Sequence, residues 1–244
     1  VSSEYTIDSY EYRNRLRYMF LVNYPLLKKD NQTKLSGFLG DEMFLNIGKN
    51  ASTALEDASK DYVICLNTVY PVATYITANI SSPNTKNLRD LQGEVLLRQL
   101  LSALHDARKA LADQYGVRKP LFLKIAPDLE ENDLRLIADL LLEFEIDAVI
   151  ATNTTISRTT VCNLPYGNEA GGLSGSPVLT LSNQSIHHLF QYLQNRIPII
   201  GVGGILSGED VRQKIDVGAS LVQLYTGLIY KGPKLIRDCV RAFE

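Results

Sequence analysis

Cysteine and histidine are scarce, three of each in 244 residues, and neither forms a pattern. Cys65, Cys162 and Cys239 are odd in number and unrelated in spacing, which argues against a disulfide framework or a zinc set and leaves reduced thiols expected. His105, His187 and His188 contain no ligand-spaced pair; they are expected at the surface, and no metal is expected. Charge of one sign is also lacking. At a net charge of −2 there is no broad basic field to attract nucleic acid or acidic lipid. No apolar run approaches the roughly 20 residues of a membrane-spanning helix, and no stretch reads as a signal peptide. What remains is 45% hydrophobic and 21% charged, an ordinary globular composition for a small-molecule enzyme or a binding barrel. Val1 stands where a methionine would begin a gene product, so a processed chain or a piece of a longer one is expected.

From residue 43 one pattern recurs: a short apolar run ends in Gly, Asn, Thr or Ser, and a helix-length stretch follows. The runs are "MFLNIGKN" (43–50), "TYITANISS" (74–82), "LFLKIAPD" (121–128), "DAVIATNTT" (147–155), "IPIIGVGGI" (197–205) and "SLVQLYTG" (220–227). Between them, Leu97, Leu100, Leu101, Leu104 and then Ala107 or Arg108 recur at helical spacing, as do Leu136, Asp139, Leu140 and Phe144. Alternating strands and helices predict right-handed βαβ units and a parallel sheet. Six units in residues 43–244 run at about 34 residues each, close to the spacing of an eight-unit (β/α)8 barrel. The 42 residues ahead of them are too few for two further units and read as a helix broken at Pro25, then a polar connection. The expected organisation is therefore 1–42 as helix and connection and 43–244 as six-eighths of an α/β barrel. An open six-stranded parallel sheet is the rival, weakened because no phosphate fingerprint follows the first strand.

Each of four runs carries one polar residue inside an apolar strand: Asn46, Asn79, Lys124 and Asn153. Each would cost a few kcal/mol if buried unpaired, so four at equivalent places point to one polar ligand at one end of the barrel. Lys124 could be salt-bridged to Asp128, or serve as a Schiff-base amine or as a cation beside an electron-rich ring. The last units are rich in glycine instead. "GGLSG" (171–175), "GVGGI" (201–205) and "YTG" (225–227) offer backbone N–H groups to a phosphate, or are tight turns only. A phosphate at one side, amides and a lysine along the floor, and the hydroxyl cluster of "NISSPNT" above them fit flavin mononucleotide better than a sugar phosphate.

"NIGKN", "NISSPNT…LRDLQ", "KIAPDL", "ATNTT", "GGLSG", "IPIIGVGGI" and "GASLVQLYT" resemble, in order and spacing, the class 2 dihydroorotate dehydrogenases. The resemblance runs from about residue 43 to 235, and "RNRLR" (13–17) resembles the helix before the third barrel strand. It implies a (β/α)8 TIM barrel of which this chain supplies the third to eighth units. The activity implied is oxidation of dihydroorotate to orotate, with FMN as hydride acceptor and ubiquinone as final acceptor, in pyrimidine biosynthesis. On this resemblance Ser82 is the catalytic base, with Thr85 and a water chain relaying its proton. Serine rather than cysteine there implies the quinone-using class. Asn79, Asn84, Asn153 and Thr154 are expected to bind the substrate. Asn46, Asn79, Lys124, Thr152, Ser174, Gly175, Val202, Gly203, Gly204, Leu224, Tyr225 and Thr226 are expected to bind FMN, with Lys124 stabilising charge on the reduced ring. Residues 156–170 are expected to form a lid.

Two departures bear on these expectations. Asn87 stands where the family usually has glycine, and Asn also tolerates a left-handed backbone. The family's first two strands, its glycine-rich flavin loop, a substrate-binding lysine, a hairpin with a further asparagine and the helices of the quinone tunnel have no counterpart here. A C-terminal piece, or a chain completed by another segment, is therefore expected, with membrane contact made only through those absent helices. The implied location is the mitochondrial inner membrane. The competing functions are a truncated, non-catalytic fragment without FMN and an aldolase-type barrel using Lys124.

Overall fold

The computed structural model describes residues 21–22 and 44–242. The expected helix broken at Pro25, the "RNRLR" segment and nearly all of 1–42 lie outside the described residues. Within that region, Leu21–Val22 (β1) is a short strand where a helix was expected, paired antiparallel to the last strand with Leu21 opposite Gln223.

The six apolar runs are six strands: β2 (Phe44–Ile47), β3 (Tyr75–Asn79), β4 (Leu121–Ile125), β5 (Ala148–Ala151), β6 (Ile199–Val202) and β7 (Leu221–Gln223). Each strand is shorter than its run, because the Gly, Asn, Thr and Ser endings leave the ladder and become loops. The helices between and after them are α1 (Ala58–Val69), α2 (Glu94–Tyr115), α3 (Glu131–Glu143), α4 (Leu179–Leu193), α5 (Gly208–Asp216), α6 (Thr226–Lys231) and α7 (Lys234–Arg241). Local chemistry sets their ends. Glu130 and Asp133 form a reciprocal capping box at the start of α3, and the Ser207 hydroxyl accepts the Asp210 N–H at the start of α5. Gly116, at φ 67°, closes α2 in a left-handed turn.

The strands pair in parallel and in chain order, β2 to β7, with β1 beyond β7. A doubly wound open sheet reverses its order at a switch point. This one does not, as a barrel requires. Curling is visible in a side-chain contact: Nε2 of Gln223 on β7 lies 3.5 Å from the Tyr75 hydroxyl on β3. Four flat strand spacings would separate those strands by about 19 Å.

Alternation divides the side chains between two surfaces. Leu45, Ile47, Ile76, Ala78, Leu121, Leu123, Ile125, Val149 and Ile199 join the buried helix-facing core with Leu97, Leu100, Leu101 and Leu104 of α2. On the other surface Tyr75 stacks between Phe44 and Phe122, with ring centroids 4.6 and 4.3 Å away. Ala148, Ile150, Ile200 and Val202 form a second cluster, with Phe122 and Leu221 packed against it. Among the described residues no helix is long and apolar enough to cross a membrane, and the three cysteines are free thiols. Of the histidines, His187 is exposed, whereas His105 and His188 are half-buried rather than fully at the surface.

Candidate active site

The same alternation places Asn46, Asn79 and Lys124 on the concave surface, in line with Phe44, Tyr75 and Phe122. Asn79 and Lys124 are direct register partners at the C-terminal ends of β3 and β4. One strand further, the chain leaves β5 through Thr152 and Asn153, whose N–H groups bond the carbonyls of Val202 and Ile125. That tether brings Asn153 back over β3. Its amide nitrogen lies 3.3 Å from the Asn79 Oδ1 and 3.1 Å from the Ser81 hydroxyl, which itself bonds Asn79 Oδ1 at 3.0 Å. The Asn153 Oδ1 then accepts the N–H and the hydroxyl of Thr154 at 2.8 and 3.3 Å. Asn79, Asn153 and Thr154, which are 75 residues apart at the extremes, thus form one hydrogen-bonded chain, with Ser81 of the "NISSPNT" hydroxyl cluster as a further member.

Ser82 follows immediately and is half-buried. Its hydroxyl accepts the N–H of Asn84 at 3.3 Å. Thr85 bonds Leu88 through its carbonyl, and among the described residues no hydrogen bond joins Thr85 to Ser82. Asn87 is left-handed, at φ 56° and ψ 12°, the backbone that glycine or asparagine accommodates best. Opposite this loop, a paired bridge between Thr155 and Leu173 turns the chain over the site. A Cβ on Gly172 would fall 1.9 Å from the Thr154 hydroxyl and 2.9 Å from Pro83, and one on Gly171 would approach Asn84 Oδ1 to 3.3 Å. Close approach therefore explains those glycines, and it brings Asn84 beside Thr154. The 156–170 segment is gathered by Arg158, which donates to the carbonyls of Thr155, Ile156, Ser157, Glu169 and Gly171.

Arg89 is a residue that the sequence reading overlooked. It rises from the short helical turn Leu88–Gln92 and bonds three strand-end loops at once: the Ser81 carbonyl at 3.1 Å, Asp128 at 2.7 Å and the Thr154 carbonyl at 2.6 Å. Asp128, weighed in the sequence as a partner for Lys124, bonds Arg89, the Thr155 hydroxyl and the Ile156 N–H. The cue available was an arginine in "NISSPNTKNLRDLQ", among the charged Lys86 and Asp90, and nothing local says what it touches.

The glycine-rich side is assembled by close packing. Gly203 and Gly204, at φ 109° and 81°, lie where a Cβ would meet Val178 at 2.5 Å and Leu179 at 2.4 Å. Gly175, at φ 78°, faces Thr226 at 3.5 Å from its virtual Cβ. The turns bearing Ser174, Gly175, Gly203, Gly204 and Thr226 are therefore neighbours. Val202 faces the concave cluster. Leu224 does not: its side chain lies in a separate core cluster with Ile205, Val211 and Val222, so only its backbone is available to a ligand. The Tyr225 ring is 66% exposed.

A family model described as dihydroorotate dehydrogenase matches residues 21–244. The chain belongs to that family. Among similar dihydroorotate dehydrogenases, a protein of Polynucleobacter asymbioticus named dihydroorotate dehydrogenase (quinone) is 66% identical over 205 residues, covering 84% of this chain and 60% of its own length. A protein of the same name from Paraburkholderia xenovorans is 56% identical over 218 residues, covering 89% of this chain and 63% of its own. The crystal structure of an Eimeria tenella DHODH in complex with ferulenol superposes with a TM-score of 0.76 at 36% identity, covering 81% of this chain and 55% of that one. The chain thus spans about three fifths of the length of the curated relatives it matches.

Proposed function

We propose that this chain is part of a quinone-dependent dihydroorotate dehydrogenase, in which dihydroorotate is oxidised to orotate on FMN and the electrons pass to ubiquinone, in pyrimidine biosynthesis. The observation that carries the reading is the hydrogen-bonded chain Asn79–Ser81–Asn153–Thr154, set between the Ser82 loop and the lysine of β4. It presents amides and hydroxyls to a small planar molecule with imide and carboxylate edges.

The concave surface suits FMN. Asn46, Asn79, Lys124 and Thr152 line one side, and the turns of Ser174, Gly175, Gly203, Gly204 and Thr226 lie on the other. The buried carboxamide oxygen of Gln223 has no partner among the described residues, on the same surface. When bound, FMN supplies a ring that accepts the hydride from substrate C6. Lys124 supplies positive charge beside that ring. Asn79, Asn84, Asn153 and Thr154 hold the substrate ring and carboxylate, which fixes C5 near Ser82.

Ser82 takes the C5 proton. A hydroxyl is a weak base, so its anionic form needs stabilising; the Asn84 N–H already bonded to Oγ strengthens as negative charge develops there. Thr85 and water carry the proton onward. Use of quinone implies a membrane location, and the mitochondrial inner membrane is proposed only by resemblance to the mitochondrial type; the two relatives named above are from Polynucleobacter and Paraburkholderia.

The test is spectroscopic. Flavin-loaded protein bleaches on adding dihydroorotate, and Ser82→Ala keeps its flavin but bleaches about 10²–10⁴-fold more slowly. Bleaching at the unmodified rate in that variant would remove Ser82 from the mechanism.

A further inference from the structure

We propose that Arg89 is a positioning residue for this reaction, locking the loop that carries Ser82 against the loop that carries Asn153 and Thr154. The inference rests on the reading of the site given above and concerns a side chain with no place in the hydride or proton transfer itself.

Three observations support it. First, its acceptors come from the ends of three successive strands. Nε bonds the Ser81 carbonyl after β3, one terminal nitrogen bonds Asp128 after β4, and the other bonds the Thr154 carbonyl after β5. The Ser81 carbonyl belongs to the peptide leading into Ser82, and Thr154 directly follows Asn153. A displacement of the guanidinium is therefore passed to the proposed base and to the substrate-holding amides together.

Second, both partners are fixed in turn. Asp128 also binds the Thr155 hydroxyl and, at 3.2 Å, the Ile156 N–H. The Arg89 carbonyl accepts Nε2 of Gln92 at 3.3 Å, and the Gln92 Oε1 accepts the Ala126 N–H at 2.8 Å, so the arginine's backbone is tied to β4. Left-handed Asn87 aims the turn that carries it.

Third, the ion pair is sheltered but outside the apolar core. The side chains of Arg89 and Asp128 are 17% and 18% exposed. A pair this sheltered also supports the fold, so the substitution that isolates positioning is one that keeps its charge; an ångström of misplacement at a reacting group can cost on the order of 100-fold in rate. The planar fork is essential to the role. One ammonium on a flexible stem does not reproduce three diverging bonds, so lysine keeps the charge but loses the geometry.

The experiment compares flavin-loaded wild type with Arg89→Lys. Three quantities are read: the bleaching rate at saturating dihydroorotate, flavin content, and melting temperature. The expected result is full flavin content, a melting temperature within about 4 °C of wild type, and saturated bleaching slowed roughly 100-fold. Bleaching at the wild-type rate overturns the proposal, as does slowing that merely tracks lost flavin or a lowered melting temperature. Should Arg89→Lys fail to fold, Arg89→Ala decides in its place. Millimolar guanidinium is then expected to restore bleaching without raising the melting temperature; no restoration, or no folded Arg89→Ala, makes the role structural and overturns positioning. Failure of wild-type holoprotein to bleach overturns the underlying reading and the positioning role with it. Normal wild-type bleaching with an unaffected Arg89→Lys overturns only the latter.

Discussion

Two arginine–aspartate networks lie at opposite ends of β4 and β5, and their differences separate support from chemistry. At the N-terminal ends, Asp147 accepts Arg108 at 2.6 Å, Arg118 at 2.5 Å and the Leu121 N–H at 2.8 Å, while Arg108 also donates to the Glu145 carbonyl. The Arg108 side chain is only 3% exposed. Burial pulls its pKa below the usual arginine range, with Asp147 opposing that shift. Its partners are the start of β4 and the turn leading into β5, so the network ties α2 to the sheet. At the C-terminal ends, Arg89 and Asp128 join loops bearing Ser82, Asn84, Asn153 and Thr154, four of the residues proposed to meet the substrate. The chemistry of the two pairs is the same. One closes the base of the fold, and the other sets distances in a site, as expected when a barrel keeps its function at the strand C-termini.

The largest expected break in this comparison comes from Arg108→Ala, which removes the buried one of Asp147's two arginine partners. Unfolding free energy is expected to fall by about 3–5 kcal/mol, read from urea midpoints, while bleaching per folded, flavin-loaded molecule stays near wild type. A bleaching rate that falls as far as that of Arg89→Lys would erase the distinction between the two ends.

A smaller effect sharpens it at a buried cation outside both networks. Lys214 on α5 is fully buried, and its ammonium bonds the Ser182 hydroxyl at 2.8 Å and Asn183 Oδ1 at 3.0 Å. Ser182 in turn donates to the Val202 carbonyl, beneath the Gly203–Gly204 turn. No carboxylate touches Lys214 among the described residues. Burial lowers its pKa from 10.5 to about 7, opposed by the field of Asp210. Between those pH values the unfolded chain holds a proton that the folded one has released, so stability contributed by this group rises with pH across the window. The slope is at most about 1.4 kcal/mol per pH unit. Lys214→Met should lack it. Parallel stability–pH lines for wild type and variant between pH about 7.5 and 9.5 would show that the ammonium stays charged in the fold.

The smallest effect is expected at the loop that aims Arg89. Asn87→Gly replaces one residue tolerant of φ 56° with another, so stability should shift by less than about 1 kcal/mol, and flavin bleaching should not change. A large loss of bleaching would mean that the Asn87 side chain, beyond its backbone, has a part in positioning.

Several features are legible in the sequence itself. Six apolar runs ending in Gly, Asn, Thr or Ser became six parallel strands, because period-two alternation and turn residues act locally. Leu97, Leu100, Leu101 and Leu104 predicted the buried stripe of α2 for the same reason. The family's usual glycine at position 87 implied a left-handed backbone that asparagine also tolerates, and Asn87 is left-handed. Other features were not legible. Leu224 sits inside a motif resembling a cofactor site, yet its side chain packs into a helix-facing cluster, since side-chain direction at a strand end depends on how the strand leaves the sheet. The strand Leu21–Val22 borrows its hydrogen bonds from β7, some 200 residues away, and two residues carry no pattern of their own.

Local periodicity, turn chemistry and isolated polar residues in apolar strands were enough to determine parallel α/β units with their polar residues gathered at one end, and they favoured a barrel over an open sheet. Those signals act within a few residues of chain, where sterics and alternation leave little choice. Tertiary structure alone decided which groups meet across that end: Asn153 on Asn79, Gly172 under Thr154, and Arg89 on partners 39 and 65 residues away. Those contacts depend on how far the sheet curls and where each loop leaves it, quantities set by the packing of the whole fold and written in no single stretch of residues.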